Sequence, residues 1–418
     1  MVNLVNLMKV DYFYELIYRS FLGLWLFMML AFSGDFTNFK LIILVVLLSL
    51  TLFELTQFRV NYSLKSYAVL LIWLFLVTFS YLHGLVIGFK FSFSLLFYTV
   101  LTPIICFLLA ARINSARLKF VNSILIISLG FILFLSFYYI GFRLGFYSIP
   151  AWMLEMRAFG GIKITDEQLE IRLASQSSLI FLLPYIATLL FFGKKRLLYT
   201  TFLIVGLIVV IFSGRRALQI LFFLGLICSA VIYAYESRMS ISSLFRLLLA
   251  SVFFIFCMSI IFDIISMFTD LKNPLATFIN TILLSFDSSK GGGVERQEQA
   301  YALFNFFAES PFFGSGLNSH PQYTRNASEP WSYEWVYLAL LAQGGLILFS
   351  FFLLVCFLIL YSNFIKGREL FECDSGMVFY AILTGGICFI IAGSTNPMIY
   401  FSWFWFLCFI SFNGLCDE

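Results

Sequence analysis

Charge is what this chain has least of. Only 11% of its 418 residues are Asp, Glu, Lys or Arg, while 61% are hydrophobic and the mean hydropathy is +0.97. Soluble domains carry about 25% charged and roughly 45–50% apolar residues, so a soluble fold is excluded. Short segments of alternating polarity are lacking too, which excludes a β-barrel. The first residues show no charged region followed by a small-residue cleavage site, so the expectation is a first span that inserts and stays. The eight cysteines contain no Cys-x-x-Cys pair. None falls in the two long outward loops assigned below, which argues against structural disulfides and a metal site. There is no Asp-x-Asp motif and no Gly-rich loop to hold a nucleotide diphosphate. A net charge of +4 is too small to imply nucleic acid. No tandem repeat divides the chain, so 1–418 is expected to be a single multi-pass membrane domain.

What the chain has in abundance is apolar runs of bilayer-spanning length. They fall near 14–33, 39–58, 67–87, 92–111, 120–141, 175–192, 197–212, 217–235, 247–268, 333–361, 377–393 and 398–415. This predicts an all-α integral membrane protein of about twelve transmembrane helices. Lys and Arg concentrate in alternate short loops: Arg59 and Lys65; Arg112, Arg117 and Lys119; Lys194, Lys195 and Arg196; Arg238 and Arg246; Lys366 and Arg368. By the positive-inside rule these loops and both termini are cytoplasmic. Two long loops, about 142–174 and 269–332, then face outward.

Arg215 and Arg216 break the charge bias, because they sit in a tiny outward turn between two apolar runs. Arginine near the bilayer marks function. The guanidinium fork suits phosphate oxygens, and a helix start adds free N–H groups for an anion. The plainer reading is that both side chains snorkel to the headgroups.

The most polar long stretch is 294–346. Its first part, 294–309, reads as an amphipathic helix with a stripe of Ala300, Leu303, Phe304 and Phe307, lying on the membrane with its aromatic face down. Pro311 and Gly314-Ser315-Gly316 end it, and the polar 317–331 must lie in water or line a cavity. Ser328 or Ser332 is expected to cap the next helix, with Glu334 in its first turn. Glu334 then either complements the helix dipole or is a desolvated carboxylate placed to take a proton. His320 is either an exposed loop residue or a phosphate or proton contact. Asn396, in Gly393-Ser394-Thr395-Asn396-Pro397, is ordinary turn chemistry or a hydrogen-bonding contact for a sugar. The run at 288–293 reads as a flexible hinge.

Four segments together resemble the superfamily of O-antigen polymerases and O-antigen ligases. They are GRRALQILFFLGL, ERQEQAYALFNFFAESPFFGSGL, SYEWVYLALLAQGGLI, and STNP followed by an apolar span. The match covers roughly 210–400. It implies a GT-C-like bundle in the bacterial inner membrane, with an active site facing the periplasm. The implied reaction joins undecaprenyl-diphosphate-linked repeat units and needs neither metal nor nucleotide cofactor. Arg215, Arg216 and Glu334 are the implied catalytic residues. Arg296, His320, Arg325 and Asn396 are the implied substrate contacts. The implied partners are lipid-linked donor and acceptor, membrane lipids and a chain-length regulator protein. A lone His320 and the Thr-Asn-Pro turn favour the polymerase branch over a ligase that transfers glycan to lipid A-core. A flippase or transporter is the competing class. It would show paired halves or Gly/Pro-broken helices near the midplane, and neither is evident in the sequence.

Overall fold

The computed structural model describes residues 2–57, 64–143, 145–156, 173–213, 215–237, 293–324, 329–371, 373–396 and 400–412. These residues form an all-helical bundle. Its helices are α1 (Val2–Ala31), α2 (Thr37–Gln57), α3 (Leu64–Ile87), α4 (Phe93–Ala110), α5 (Ser115–Arg143), the short α6 (Ala151–Glu155), α7 (Gln176–Phe192), α8 (Arg196–Phe212) and α9 (Arg216–Glu236). After the undescribed 238–292 come α10 (Gly293–Glu309), α11 (Val336–Glu369), α12 (Asp374–Gly393) and α13 (Ser402–Phe412). Eight of these helices are long and apolar enough to cross a membrane. Helices α7, α8 and α13 are apolar but shorter. The expected span at 247–268, residues 288–292 of the expected hinge and Arg325 lie outside the described residues, and Gly293 of that hinge is the first residue of α10.

The core is built on α7, which is buried from Gln176 to Leu189 between α9 and α12. Gly225 of α9 lets that helix close on Pro184, where a Cβ would strike the proline ring. Beside it, Thr188, Ser229 and Thr384 hydrogen-bond across the three helices at 2.9 Å. Such a polar cluster is stable in an apolar interior because each hydroxyl finds a partner.

Contacts along the helices sort the loops into two ends. Phe181 packs on Phe389, and Tyr337 Oη donates to the Ile390 carbonyl. The starts of α7 and α11 therefore lie beside the end of α12. Ser178 Oγ reaches Leu30 O (2.9 Å), and Arg215 reaches Ser177, so the end of α1 and the arginine turn join them. At the opposite end a buried ion network ties α1, α2 and α5. Arg117, 3% exposed, bonds Glu15 and Glu54 and lies 4.0 Å from the Tyr18 ring centroid. Arg112 pairs with the same Glu54.

One span departs from the sequence expectation. α11 is broken at Gly345 (φ 69°, ψ −177°), so a glycine-broken helix is present after all. Gly345 lies nine residues past Val336 (345 − 336), about 13 Å along the axis. The helical bonds from Leu346 to Ala342 and from Ile347 to Gln343 are opened. Leu346 N donates instead to Pro311 O (2.9 Å), and Ile347 N to Phe312 O (3.2 Å). In return Ala342 O accepts Ser315 N (3.3 Å), and Gln343 O accepts Gly316 N (2.7 Å). The chain after α10 thus fills the break with its own backbone, satisfying polar groups that would be costly unpaired in an apolar setting.

This contact demands glycine. A Cβ on Gly345 would strike Phe312 O and Gly314 N; a Cβ on Gly316 (φ 95°) would strike Gly84 N and Cα in α3. Leu317 N then donates to Ser80 O (3.2 Å), and Asn318 Nδ2 to Lys90 O (3.2 Å). Gly88 (φ 108°) has nothing within 4 Å of its would-be Cβ, so it reports backbone strain alone. Gly316→Ala and Gly345→Ala each combine that strain with overpacking and should destabilise the protein by on the order of 3 kcal/mol. Gly88→Ala should cost about 1 kcal/mol. Thermal unfolding of the three variants in detergent checks the ranking; equal losses would contradict it.

Candidate functional site at the arginine end

The first turn of α10 is fastened to the residues just before α11. Arg296 and Gln299, three apart, share a helix face. Arg296 Nε donates to Glu334 Oε2 at 2.6 Å, and Gln299 Oε1 accepts Glu334 N at 2.9 Å. Trp335 Nε1 donates to Arg296 O at 3.0 Å. Below them Leu303, Tyr333, Ala339 and Ala342 form a small core, with Phe306, Phe307 and Trp335 packed against it.

Two sequence expectations are corrected here. Glu334 does not lie in the first turn of α11, and Ser332 does not cap it. The helix starts at Val336, its N-cap is Trp335, and no side chain caps it. Just ahead of that start, Gln299 of α10 accepts the Glu334 N–H and ties the chain to another element. Ser328, the other expected cap, lies outside the described residues. The helix α10 is also less simply one-sided than its stripe predicts. Gln299 and Leu303 are buried against α11, while Tyr301 and Phe304 are exposed, with Phe312 and Phe313 beyond them.

The polar loop after α10 is held by three hydrogen bonds from two side chains. Gln343 Nε2 donates to Ser319 O (2.9 Å) and Trp331 O (3.0 Å). Tyr333 Oη donates to Tyr323 O at 3.1 Å. Burial pushes the Tyr333 phenol above its ordinary pKa, so it stays a neutral donor. His320 is partly buried. Its ring meets Phe89 edge-on at 5.5 Å, and Nδ1 lies 3.0 Å from Pro321 O.

Arg215 is the N-cap of α9, and its Nη1 donates to Ser177 Oγ at 2.5 Å. Arg216, partly buried, is the first residue of that helix, whose first N–H groups have no intrahelical acceptor. Asn396 Nδ2 donates to Thr395 Oγ1 at 3.2 Å, within its own turn. Among the sequence-selected residues the structure joins Arg296 to Glu334 by direct contact. It places Arg215, Arg216 and Asn396 at the same end of the bundle.

Sequence reasoning missed Gln299, Gln343 and Ser177. The glutamines were findable, since an amide inside an apolar run or on a packed helix face has to serve a partner. Ser177 carries no such signal.

Chemically, Arg296 and Glu334 neutralise each other in this state. The Arg296 side chain is 45% exposed and that of Glu334 24%. The Arg296 terminal amino groups carry no hydrogen bond among the described residues, and they face partly open space. A pair this exposed is screened, so a double-mutant cycle over Arg296→Gln and Glu334→Gln should give a coupling of about 0.5–1 kcal/mol that shrinks with added salt. Thermal unfolding of the two single variants and the double variant measures it; strictly additive losses would contradict the pair. Compared with known proteins, the chain matches no protein-family model and no curated sequence.

Proposed function

We propose that this chain is a membrane glycosyltransferase of the O-antigen polymerase type, joining polyprenyl-diphosphate-linked glycan units at the periplasmic face of the bacterial inner membrane. The observation that carries this reading is the Arg296–Glu334 contact at the end of the bundle that also holds the arginine turn. A hydroxyl of one lipid-linked unit attacks the anomeric carbon of another, and the bond to the diphosphate breaks. The leaving group is already anionic, so it needs charge stabilisation and not protonation. Arg215, Arg216 and Arg296 supply that charge. Glu334 accepts the hydroxyl proton.

The contact between Arg296 and Glu334 gives the reaction an order. Diphosphate oxygens compete for the guanidinium fork, since bidentate phosphate pairing is among the strong hydrogen bonds. Arg296 turns to the donor, and its charge is withdrawn from Glu334, the base. An acceptor alone leaves the pair closed. In this reading Arg325 and Asn396 are further contacts to the glycan, and a chain-length regulator is a protein partner. His320, beside Phe89, is a further candidate contact, and as a lone histidine in its loop it favours polymerase over ligase. The break in α11 would suit a transporter, but here it is filled by the 311–316 backbone.

The test is glycan length. Purified protein in lipid, given synthetic lipid-diphosphate repeat units, should build a ladder of products. Arg215→Lys and Arg216→Lys keep charge and lose the fork, and each should slow elongation by about tenfold or more. Substrate crossing the bilayer without a ladder would overturn the reading. Unchanged elongation in both lysine variants would overturn the arginine assignment.

A further inference from the structure

A base that loses its ion-pair partner on the way to reaction has to be held in place by something else. Three contacts from α10 hold the chain at Glu334, and none of them uses its carboxylate. Gln299 Oε1 accepts the Glu334 N–H at 2.9 Å. On one side of Glu334, Tyr333 is 1% exposed and shares a small core with Leu303. On the other, the Trp335 indole donates to Arg296 O at 3.0 Å. The Glu334 carbonyl is committed as well. It accepts Val336 N at 2.9 Å with Trp335 at φ −77° and ψ 69°, an inverse γ-turn. Both backbone polar groups of residue 334 are thus taken, and its Cα is fixed from two sides.

The chemistry of Gln299 suits this task. It is 3% exposed, and a buried amide costs free energy unless it serves a partner. The N–H that it answers calls for an oxygen. A carboxylate at 299 would also accept that N–H, but it would set a like charge beside Glu334 and favour the neutral form of its carboxyl. An amide accepts the bond and adds no charge.

We infer that Gln299 is a positioning residue for Glu334, anchoring the backbone of the base so that its carboxylate stays aimed when Arg296 turns to the diphosphate. This rests on the proposed function, in which Glu334 takes the proton of the attacking hydroxyl. The Gln299 bond does not depend on the ion pair, so it persists when the pair opens. Its contribution is to the geometry of the transition state and not to substrate binding.

The test uses full-length protein in lipid nanodiscs, elongating synthetic lipid-diphosphate repeat units over a range of concentrations. Gln299→Met keeps the size of the side chain and removes the amide acceptor. It should lower kcat about tenfold with KM unchanged. Added to Glu334→Gln, it should change the residual turnover by less than about twofold, because the group that it positions is already gone. Equal losses in the two backgrounds, which a merely structural role gives, overturn the inference. Full kcat in Gln299→Met overturns it too and leaves the glycosyltransferase reading standing. A wild type that builds no ladder overturns that reading, and the positioning role falls with it. If Gln299→Met fails to fold, hydrogen exchange of wild type decides. The Glu334 amide should be protected as strongly as the helical amide of Leu303, and exchange at the rate of an exposed loop overturns the anchor.

Discussion

The contact of the 311–316 backbone with the break in α11 is the constraint on which the functional end of this molecule depends. Four hydrogen bonds replace two helical ones, and glycine on both sides lets the strands of chain meet. The exchange sits about two and a half turns below the start of α11. It therefore fixes α10 above it and the polar loop beside it in one step. Without it α10 would be a surface helix tethered at its ends. With it, α10 is part of the bundle, and Arg296 is aimed at the residues before α11.

The arrangement of charge follows from that placement. Both ends of the bundle carry arginines, but they are handled differently. Arg117 is buried among carboxylates and the Tyr18 ring, an arrangement in which removing either partner would strand a charge in an apolar interior. Arg296 is half-exposed and singly paired, with donors to spare. Arg215 donates to the Ser177 hydroxyl at the start of α7. The first pattern is that of a structural network. The second is that of a group able to exchange one partner for another at little cost, which is what a binding site requires.

Much of the bundle was legible in the sequence, and the reason is physical. A membrane span needs a long apolar run, so runs such as 39–58 or 377–393 translate directly into α2 and α12. The amphipathic α10 and the choice of Arg296 and Glu334 as site candidates were legible because charge is scarce in this chain; their direct pairing was not. The break at Gly345 was not. Its partner is backbone some thirty residues earlier, and backbone pairing leaves no trace in side-chain pattern; the sequence QGGL reads only as a helix nearing its end. Nor was the start of α11, which falls at Val336, past Ser332 and Glu334, with no side-chain cap to mark it. The Ser177 support of Arg215 was illegible too, being a neutral contact between distant residues.

Hydrogen exchange at the break measures the central constraint most directly. The amides of Ser315, Gly316, Leu317, Leu346 and Ile347 all donate to carbonyls of a distant segment and not along their own stretch of chain. If the 311–316 backbone holds α11 together, these five should be protected as strongly as the helical amides around Phe352 and should open with them as one unit. Exchange of Ser315 and Gly316 at the rate of an exposed loop, with Leu346 and Ile347 protected by a continuous helix, would contradict the account.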